Sequence, residues 1–411
     1  MEIRSTTEQD LGVFLDTVHA AFGRFVETPV NGGGLWWSAL EIDRSLLAMT
    51  ADGRPVGTAG AYSFELTLPG KILVPAPGVT AVGVLPSHRR QGVLTAMMRH
   101  QLTDLRARGE ALSVLLASEA SIYRRFGYGP ATYTRKFTVP RNKAVLTVPR
   151  ARATAERRST ASPDAASIEL LRRAECGEIL EEVYDRYRRA QPGALSRPHR
   201  WWASSAGRPP VNAAPRYVAV HRDAEDVPDG YASYSVADDY STLTVDETIA
   251  TDDAAFTALS RFALGHDLVK QIEFKHLPPD HSLLWQLADY AAGAESEEEW
   301  LWVRLLDVPR SLTTRGYFTD GELVLDVEDP FLGEHGRHLL TVRDGRAECV
   351  QTDREPDLSL DISDLGSIYL GGTTPSILVR AGHVRAHRPG AAAVADALFR
   401  AERAPHCLHW F

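Results

Sequence analysis

Cysteine is scarce in this chain: Cys176, Cys349 and Cys407 are the only three among 411 residues. An odd number at such wide spacing supports neither a disulfide framework nor a zinc site, and it suits a reducing, cytoplasmic setting. Long apolar runs are lacking too. The longest uncharged stretch, ILVPAPGVTAVGVLP after Lys71, is shorter than the roughly 20 residues of a spanning helix and is broken by Pro75, Pro77 and Gly78, so no membrane span is expected. The amino terminus, MEIRSTTEQDLGVFL, carries no apolar h-region and hence no secretory signal. Basic residues are in the minority, 45 Lys plus Arg against 54 Asp plus Glu for a net charge of −9, which argues against nucleic acid as a partner. What is present is 44% apolar and 24% charged, a globular balance with ample core in a chain too long for one ordinary domain.

Hydrophobic periodicity divides the chain into three. Residues 1–150 begin with a helical pattern over 5–25, in which Leu11, Phe14, Leu15, Val18, Ala21 and Phe22 recur near a 3.6-residue period. Strand-like runs follow at 45–50, 58–68 and 78–85, then an amphipathic helix over 92–108 stopped by Gly109, then a buried strand at 111–117. Such an order predicts a mixed sheet with helices on its faces. Residues 151–167 are small, charged and aperiodic, as in a linker. A second α/β pattern extends to 299, with helices over 179–189 and 255–264 and strands over 217–221, 230–237 and 271–275. The acidic run Glu295–Glu299 reads as a solvated boundary. Residues 300–411 carry the strand-like LVLDV and LSLDI and a helix-like AAAVADALFRAE.

The chemistry concentrates in GVTAVGVLPSHRRQG, residues 78–92. A strand containing Val82, Gly83 and Val84 leads into a loop with Arg89, Arg90 and Gln91. Gly92, Val93 and Leu94 then open the helix. Unpaired N–H groups and the positive end of the dipole make a helix start a phosphate site. Gly92 allows close approach of a pyrophosphate, and the arginines can add charge-assisted hydrogen bonds. The plainer alternative is a solvated basic turn.

Arg89-x-x-Gly92 between an apolar strand and an amphipathic helix resembles the acetyl-CoA loop of the GNAT N-acetyltransferases, with Leu94 where that family has Gly or Ala. HRRQGVL at 88–94, ASEASIYRRFGYGPAT at 117–132, QPGALSRP at 191–198, LWVRLLDVPRSL at 301–312 and the aromatic carboxyl terminus resemble, more closely, the Eis (enhanced intracellular survival) acetyltransferases of actinobacteria. The resemblance implies an α/β (α+β) chain of tandem GNAT domains with mixed sheets followed by a sterol-carrier-protein-like α/β domain. The ranges are 1–150, catalytic; 151–299, degenerate; and 300–411, sterol-carrier-like. It further implies acetyl-CoA as cofactor, a homo-hexamer, and a small-molecule amine as substrate, aminoglycosides among them, with lysine side chains as an alternative.

The same resemblance suggests residue roles. Tyr123 is the candidate general acid, with Tyr128 as the competing candidate for which a packing role is favoured, and the terminal carboxylate of Phe411 is the candidate base, with His406 and His409 behind it. Backbone N–H groups of Val82–Val84 would stabilise an oxyanion, and Ser118 would either bond the pantetheine arm or cap the next helix. Phe22, Phe25, Glu27, Trp36, Trp37 and Trp410 are candidate acceptor contacts, though the aromatic ones read equally well as core. Trp201 and Trp202 read as packing of the second unit. At that unit's strand-to-helix junction, VDETIATDD at 245–253, no Arg-x-x-Gly occurs and four carboxylates stand where pyrophosphate would lie, so one cofactor site per chain is expected. A rival reading is a hydrophobic-ligand carrier whose acetyltransferase domains are vestigial.

Overall fold

The computed structural model describes residues 1–23, 39–147, 168–203 and 217–411. They form two compact units: Met1–Thr132, Pro192–Gly207 and Glu299–Phe411 make one, and Tyr133–Gln191 with Arg208–Glu298 the other. Among the described residues no helix is long and apolar enough to cross a membrane.

The first unit holds two sheets. One has seven strands in the order Glu2–Ser5, Leu46–Met49, Pro55–Leu68, Ile72–Val84, Leu112–Leu116, Leu301–Leu305 and Gly129–Pro130. All neighbours are antiparallel except Ile72–Val84 with Leu112–Leu116. The parallel pair is joined by the helix Val93–Ala107, whose Met97, Met98, Leu102 and Leu105 are buried. The other sheet has five strands in the order Arg346–Gln351, Glu334–Arg343, Gly321–Asp329, Leu358–Asp361 and Arg385–Ala386. A single apolar cluster runs from Phe64, Leu66 and Val114 through Leu301 and Val303 to Leu365 and Leu398. The carboxyl-terminal segment therefore shares its core with the first sheet, which is why three sequence segments fold as two units.

The second unit is a seven-stranded mixed sheet in the order Ala294–Glu299, Tyr133–Pro140, Gln271–Leu277, Thr242–Ala250, Pro228–Val236, Tyr217–Arg222 and Ile168–Arg172. Both large sheets take a strand from outside the range that periodicity assigns. Tyr133–Pro140 precedes residue 150 yet belongs to the second unit, and Leu301–Leu305 follows residue 299 yet lies in the first, between Leu112–Leu116 and Gly129–Pro130.

Three local expectations change. The first helix begins at Leu11 rather than at residue 5, because the Asp10 carboxylate accepts from the Thr7 N–H at 2.8 Å and turns the chain into a short 3-10 segment. It ends at Ala21, before Gly23 in the left-handed region at φ 69°. The strand expected at 78–85 extends back to Ile72 through Pro75 and Pro77, which face Glu65 and Ser63. The two prolines are two residues apart, so their nitrogens point to the same edge, and pairing with Leu112–Leu116 begins only at Gly78. The acidic run is an exposed edge strand, Ala294–Glu299, with Arg135 reaching Glu295 at 3.4 Å and Glu297 at 3.1 Å. A charged edge resists pairing with another chain.

Candidate active site

The parallel ladder between Ile72–Val84 and Leu112–Leu116 pairs only Gly78 with Val114 and Val79 with Leu115. Beyond Val79 the strands part. The partner strand on the other side stays attached through a bulge, where Ala81 adopts φ 50° and its carbonyl accepts from the Thr58 hydroxyl at 2.7 Å. The edge from Thr80 to Val84, which includes Val82, Gly83 and Val84, is thereby released from the parallel ladder. Gly83 is needed for close packing, since a Cβ there would stand 2.8 Å from the Ala21 Cβ. Phe22 is 55% exposed beside it.

The loop that follows enters the left-handed region twice, at Arg90 (φ 62°) and Gly92 (φ 81°). Gly92 precedes Val93–Ala107 with no side-chain cap and no acidic residue in the first turn, so the N–H groups of this helix start are open to an anion. Arg89 does not point to that opening. Its guanidinium donates to the Ala21 carbonyl at 2.9 Å and the Val84 carbonyl at 3.3 Å, tying the end of the first helix to the strand. Gln91 likewise donates to the Ser87 carbonyl at 3.2 Å. These two shape the loop, and Arg90 is left exposed on it. Val93 is buried against Ala48, Val56 and Met97, and Leu94 bridges that cluster to the one holding Tyr123.

Tyr123 closes the short helix Ala120–Tyr123 and packs with Val79, Met98, Leu102 and Leu115, with Val82 against the same cluster. It is 7% exposed, and burial pushes its phenol up to about 12, with no hydrogen bond contributing. Tyr128, 6.3 Å away ring to ring, is sealed and shares a hydrogen bond of 2.5 Å with the Ser113 hydroxyl. Burial raises its phenol further still. The two tyrosines thus differ in burial and in hydrogen bonding. Ser118 is exposed, and the helix start is Glu119 without a side-chain cap, so Ser118 does not serve as the cap.

The carboxyl terminus reaches this sheet. Pro405, His406, Cys407 and His409 are buried, Trp410 is 44% exposed and Phe411 is half-buried. The Phe411 ring lies 5.0 Å from Phe64 and 6.4 Å from Tyr62, and a Cβ on Gly78 would come within 2.8 Å of it. The last residue is therefore seated on the strand where the ladder opens. His409 fits between Trp201 at 4.7 Å and Phe64 at 5.2 Å, and neither of its ring nitrogens has a hydrogen-bond partner. Burial holds its pKa well below the ordinary histidine value. The tail is pinned by the His406 N–H donating to the Pro192 carbonyl at 2.8 Å, while beside it the Thr67 N–H donates to the Ala194 carbonyl at 2.9 Å and the Thr67 carbonyl accepts from the Gly193 N–H at 2.8 Å. Within QPGALSRP, Gly193 adopts φ 86° and a Cβ there would meet the His406 nitrogen at 3.0 Å. Trp201 corrects the sequence reading: it packs in the first unit, 4.8 Å from Tyr62, rather than in the second. Nothing in the sequence marks Gly78 or this aromatic nest, because contacts between residues 62–78, 201 and 409–411 are made only by folding.

In the second unit the equivalent turn is closed. Only Thr251 and Asp252 separate Thr242–Ala250 from the helix Asp253–Leu264. The Asp252 carboxylate accepts from the N–H groups of Ala254 at 2.8 Å and Ala255 at 2.9 Å, occupying the position an anion would take. Asp246 is buried against Lys275 at 2.7 Å instead of facing that turn. Phe25, Glu27, Trp36 and Trp37 lie outside the described residues.

Comparison with known proteins agrees with this architecture. Models described as acetyltransferase (GNAT) domains match residues 2–131 and 193–305, and a sterol carrier protein domain matches 308–408. The chain is 36% identical to an uncharacterized N-acetyltransferase of Streptomyces avermitilis, covering 100% of this chain and 99% of the relative. It is 33% identical to the N-acetyltransferase Eis of Mycobacterium tuberculosis strain H37Ra, covering 93% of this chain and 92% of that protein. The crystal structure of Eis1 from Mycobacterium abscessus superposes with a TM-score of 0.86 at 33% identity, covering 100% of both chains.

Proposed function

The chain belongs to the Eis family of N-acetyltransferases, and on that premise we propose that it moves the acetyl group of acetyl-CoA onto primary amines, with aminoglycosides as first acceptors and lysine side chains after them. The observation that carries this reading is the convergence, in one unit, of the uncapped helix start at Gly92, the released strand edge at 80–84 and the buried phenol of Tyr123, for which no hydrogen bond is found among the described residues. Family membership also supports a homo-hexameric, cytoplasmic protein.

Acetyl-CoA is the acyl donor. The N–H groups at the start of Val93–Ala107 receive its pyrophosphate, with Arg90 adding charge, and the strand edge receives the pantetheine arm and, at Val82–Val84, the thioester oxygen. An amine attacks only when neutral, so a base must take its proton, and the carboxylate of Phe411, whose ring lies against Gly78 where the ladder opens, is assigned that role, directly or through a water. As the C–N bond forms and the C–S bond breaks, negative charge moves from the carbonyl oxygen to sulfur. Tyr123 donates its proton to that sulfur. With a pKa near 12 it stays protonated across the physiological range, and the apolar surroundings that raise the phenol also raise a thiol placed against it, which keeps the transfer feasible. Arg89 and Gln91 act on the loop's shape through their bonds to the Ala21, Val84 and Ser87 carbonyls.

The test is an acceptor panel of aminoglycosides, polyamines and lysine peptides followed by CoA thiol release. Tyr123→Phe is expected to lower kcat by roughly a hundredfold or more while the Kd for acetyl-CoA stays within about twofold. Undiminished turnover in that variant removes Tyr123 as the acid, and thiol release without any amine would mean that the reaction is hydrolysis.

A further inference from the structure

Tyr123 ends a helix of only four residues whose first position has no side-chain cap. A piece that short does not hold itself in water, so the placement of the phenol has to come from outside it. On the ring side the apolar cluster around Val79 and Leu115 provides it. On the backbone side stands the next residue, Arg124. Its Nη2 donates to the Oδ1 of Asp364 at 2.5 Å and to the Nδ1 of His383 at 2.7 Å.

Asp364 comes from the sterol-carrier-like segment. It lies on the helix Ile362–Tyr369, all of whose residues are buried, and its own side chain is 2% exposed. Burial raises its carboxyl above the ordinary value, and Arg124 and His383 oppose that rise. A carboxylate in such a place is costly unless paired, which keeps Arg124 where it is. The surfaces around this pair leave no slack. A Cβ on Gly129 would fall 1.9 Å from the Ser363 carbonyl oxygen, and one on Gly366 would fall 2.3 Å from that of Val303. On the other side of the turn, the buried Arg304 is paired with Asp329 and lies against Gly127. The turn that carries Tyr123 is thus backed over its length by the carboxyl-terminal helix and strand.

We infer that Asp364 is a positioning residue for Tyr123, acting through Arg124, so that the sterol-carrier-like segment serves acyl transfer as the backing of the acid-bearing turn. The inference rests on the reading of Tyr123 as the acid. It separates two roles that sequence similarity leaves together: a segment named for binding lipid, and a carboxylate that sets the angle of a phenol.

The experiment is a double-mutant cycle on the full chain. Asp364→Asn and, as a more exposed variant less exposed to misfolding, Arg124→Met are each made alone and with Tyr123→Phe. kcat, the acetyl-CoA Kd and the melting temperature are measured for each. The expected result is a fall in kcat of about tenfold for either variant alone, acetyl-CoA binding within about twofold, and no further fall when the phenol hydroxyl is already gone. Equal losses with and without that hydroxyl would show a merely structural role and overturn the inference, as would unchanged kcat in both single variants. If Tyr123→Phe alone leaves turnover intact, the assignment of the acid fails and takes the inference with it, a result distinct from additive losses.

Discussion

At the scale of single residues, the sequence offers two histidines near the carboxyl terminus as possible bases, and the structure gives His409 a different character. It is sealed among Trp201, Phe64 and Phe411, with both ring nitrogens unpaired and its pKa driven well down by burial. A group that must stay neutral to remain in place is a poor proton acceptor and a good wedge. The sign for stability follows from linkage. Below about pH 6.5 the unfolded histidine binds a proton that the folded one refuses, so stability present above that pH is lost as pH falls, with a slope of up to about 1.4 kcal/mol per pH unit. His409→Phe is expected to narrow the loss, so the melting temperature of the variant should gain on that of the wild type steadily from pH 7.5 to 5.5. A constant gap between the two would contradict a buried neutral imidazole. Tyr123 and Tyr128 make the complementary case. Their positions were legible in the motif, but the distinction between them rests on Ser113, which lies on another strand and bonds one hydroxyl only.

At the scale of elements, two strand-to-helix junctions decide where a nucleotide can sit. One is a loop ending in a left-handed glycine before an uncapped helix; the other is a two-residue turn whose aspartate already fills the helix start. The contrast predicts one acetyl-CoA per chain in titration calorimetry. Asp252→Ala should destabilise the fold by about 1 kcal/mol through loss of the cap, and it should not create a second site, because the turn is too short to cradle a phosphate. Binding of two equivalents by the wild type would refute this. Much of this contrast was readable as residue types, Arg89-x-x-Gly92 against a run of carboxylates. Element lengths were less readable. Pro75 and Pro77 suggest a break and instead sit in a long strand, because one of its edges has no partner there. Glu295–Glu299 suggests solvent and is a strand in solvent.

At the scale of the whole molecule, the first unit is assembled from parts far apart in the chain. Leu301–Leu305 enters the first sheet beside Leu112–Leu116, Pro192–Ser196 clips the tail through His406, and Phe411 ends on Gly78. Extending the chain beyond Phe411 is therefore expected to abolish turnover while leaving acetyl-CoA binding nearly unchanged, whereas deleting Phe411 should in addition lower the melting temperature, because its ring packs on Phe64, Tyr62 and His409. On the proposed mechanism the Phe411 carboxylate acts as the base, and among the described residues no hydrogen bond or ion pair is found for it. Full activity with a carboxyl-terminal tag would end the assignment of Phe411 as base.

Local chemistry was determined by the sequence alone: a helix start free of acids, a tyrosine ahead of a glycine-aromatic pair, a tail too apolar to fray, and a second junction too acidic for phosphate. Those features are short-range, and residue type with spacing suffices to read them. Partnership was decided only by tertiary structure. Which strands exchange between sheets, which tyrosine shares its hydroxyl with Ser113, that Arg89 grips the Ala21 carbonyl, and that Asp364 backs Arg124 all depend on burial and on contacts between distant residues. Such contacts form only once apolar surface has been removed from water, and no pattern of nearby residues encodes them.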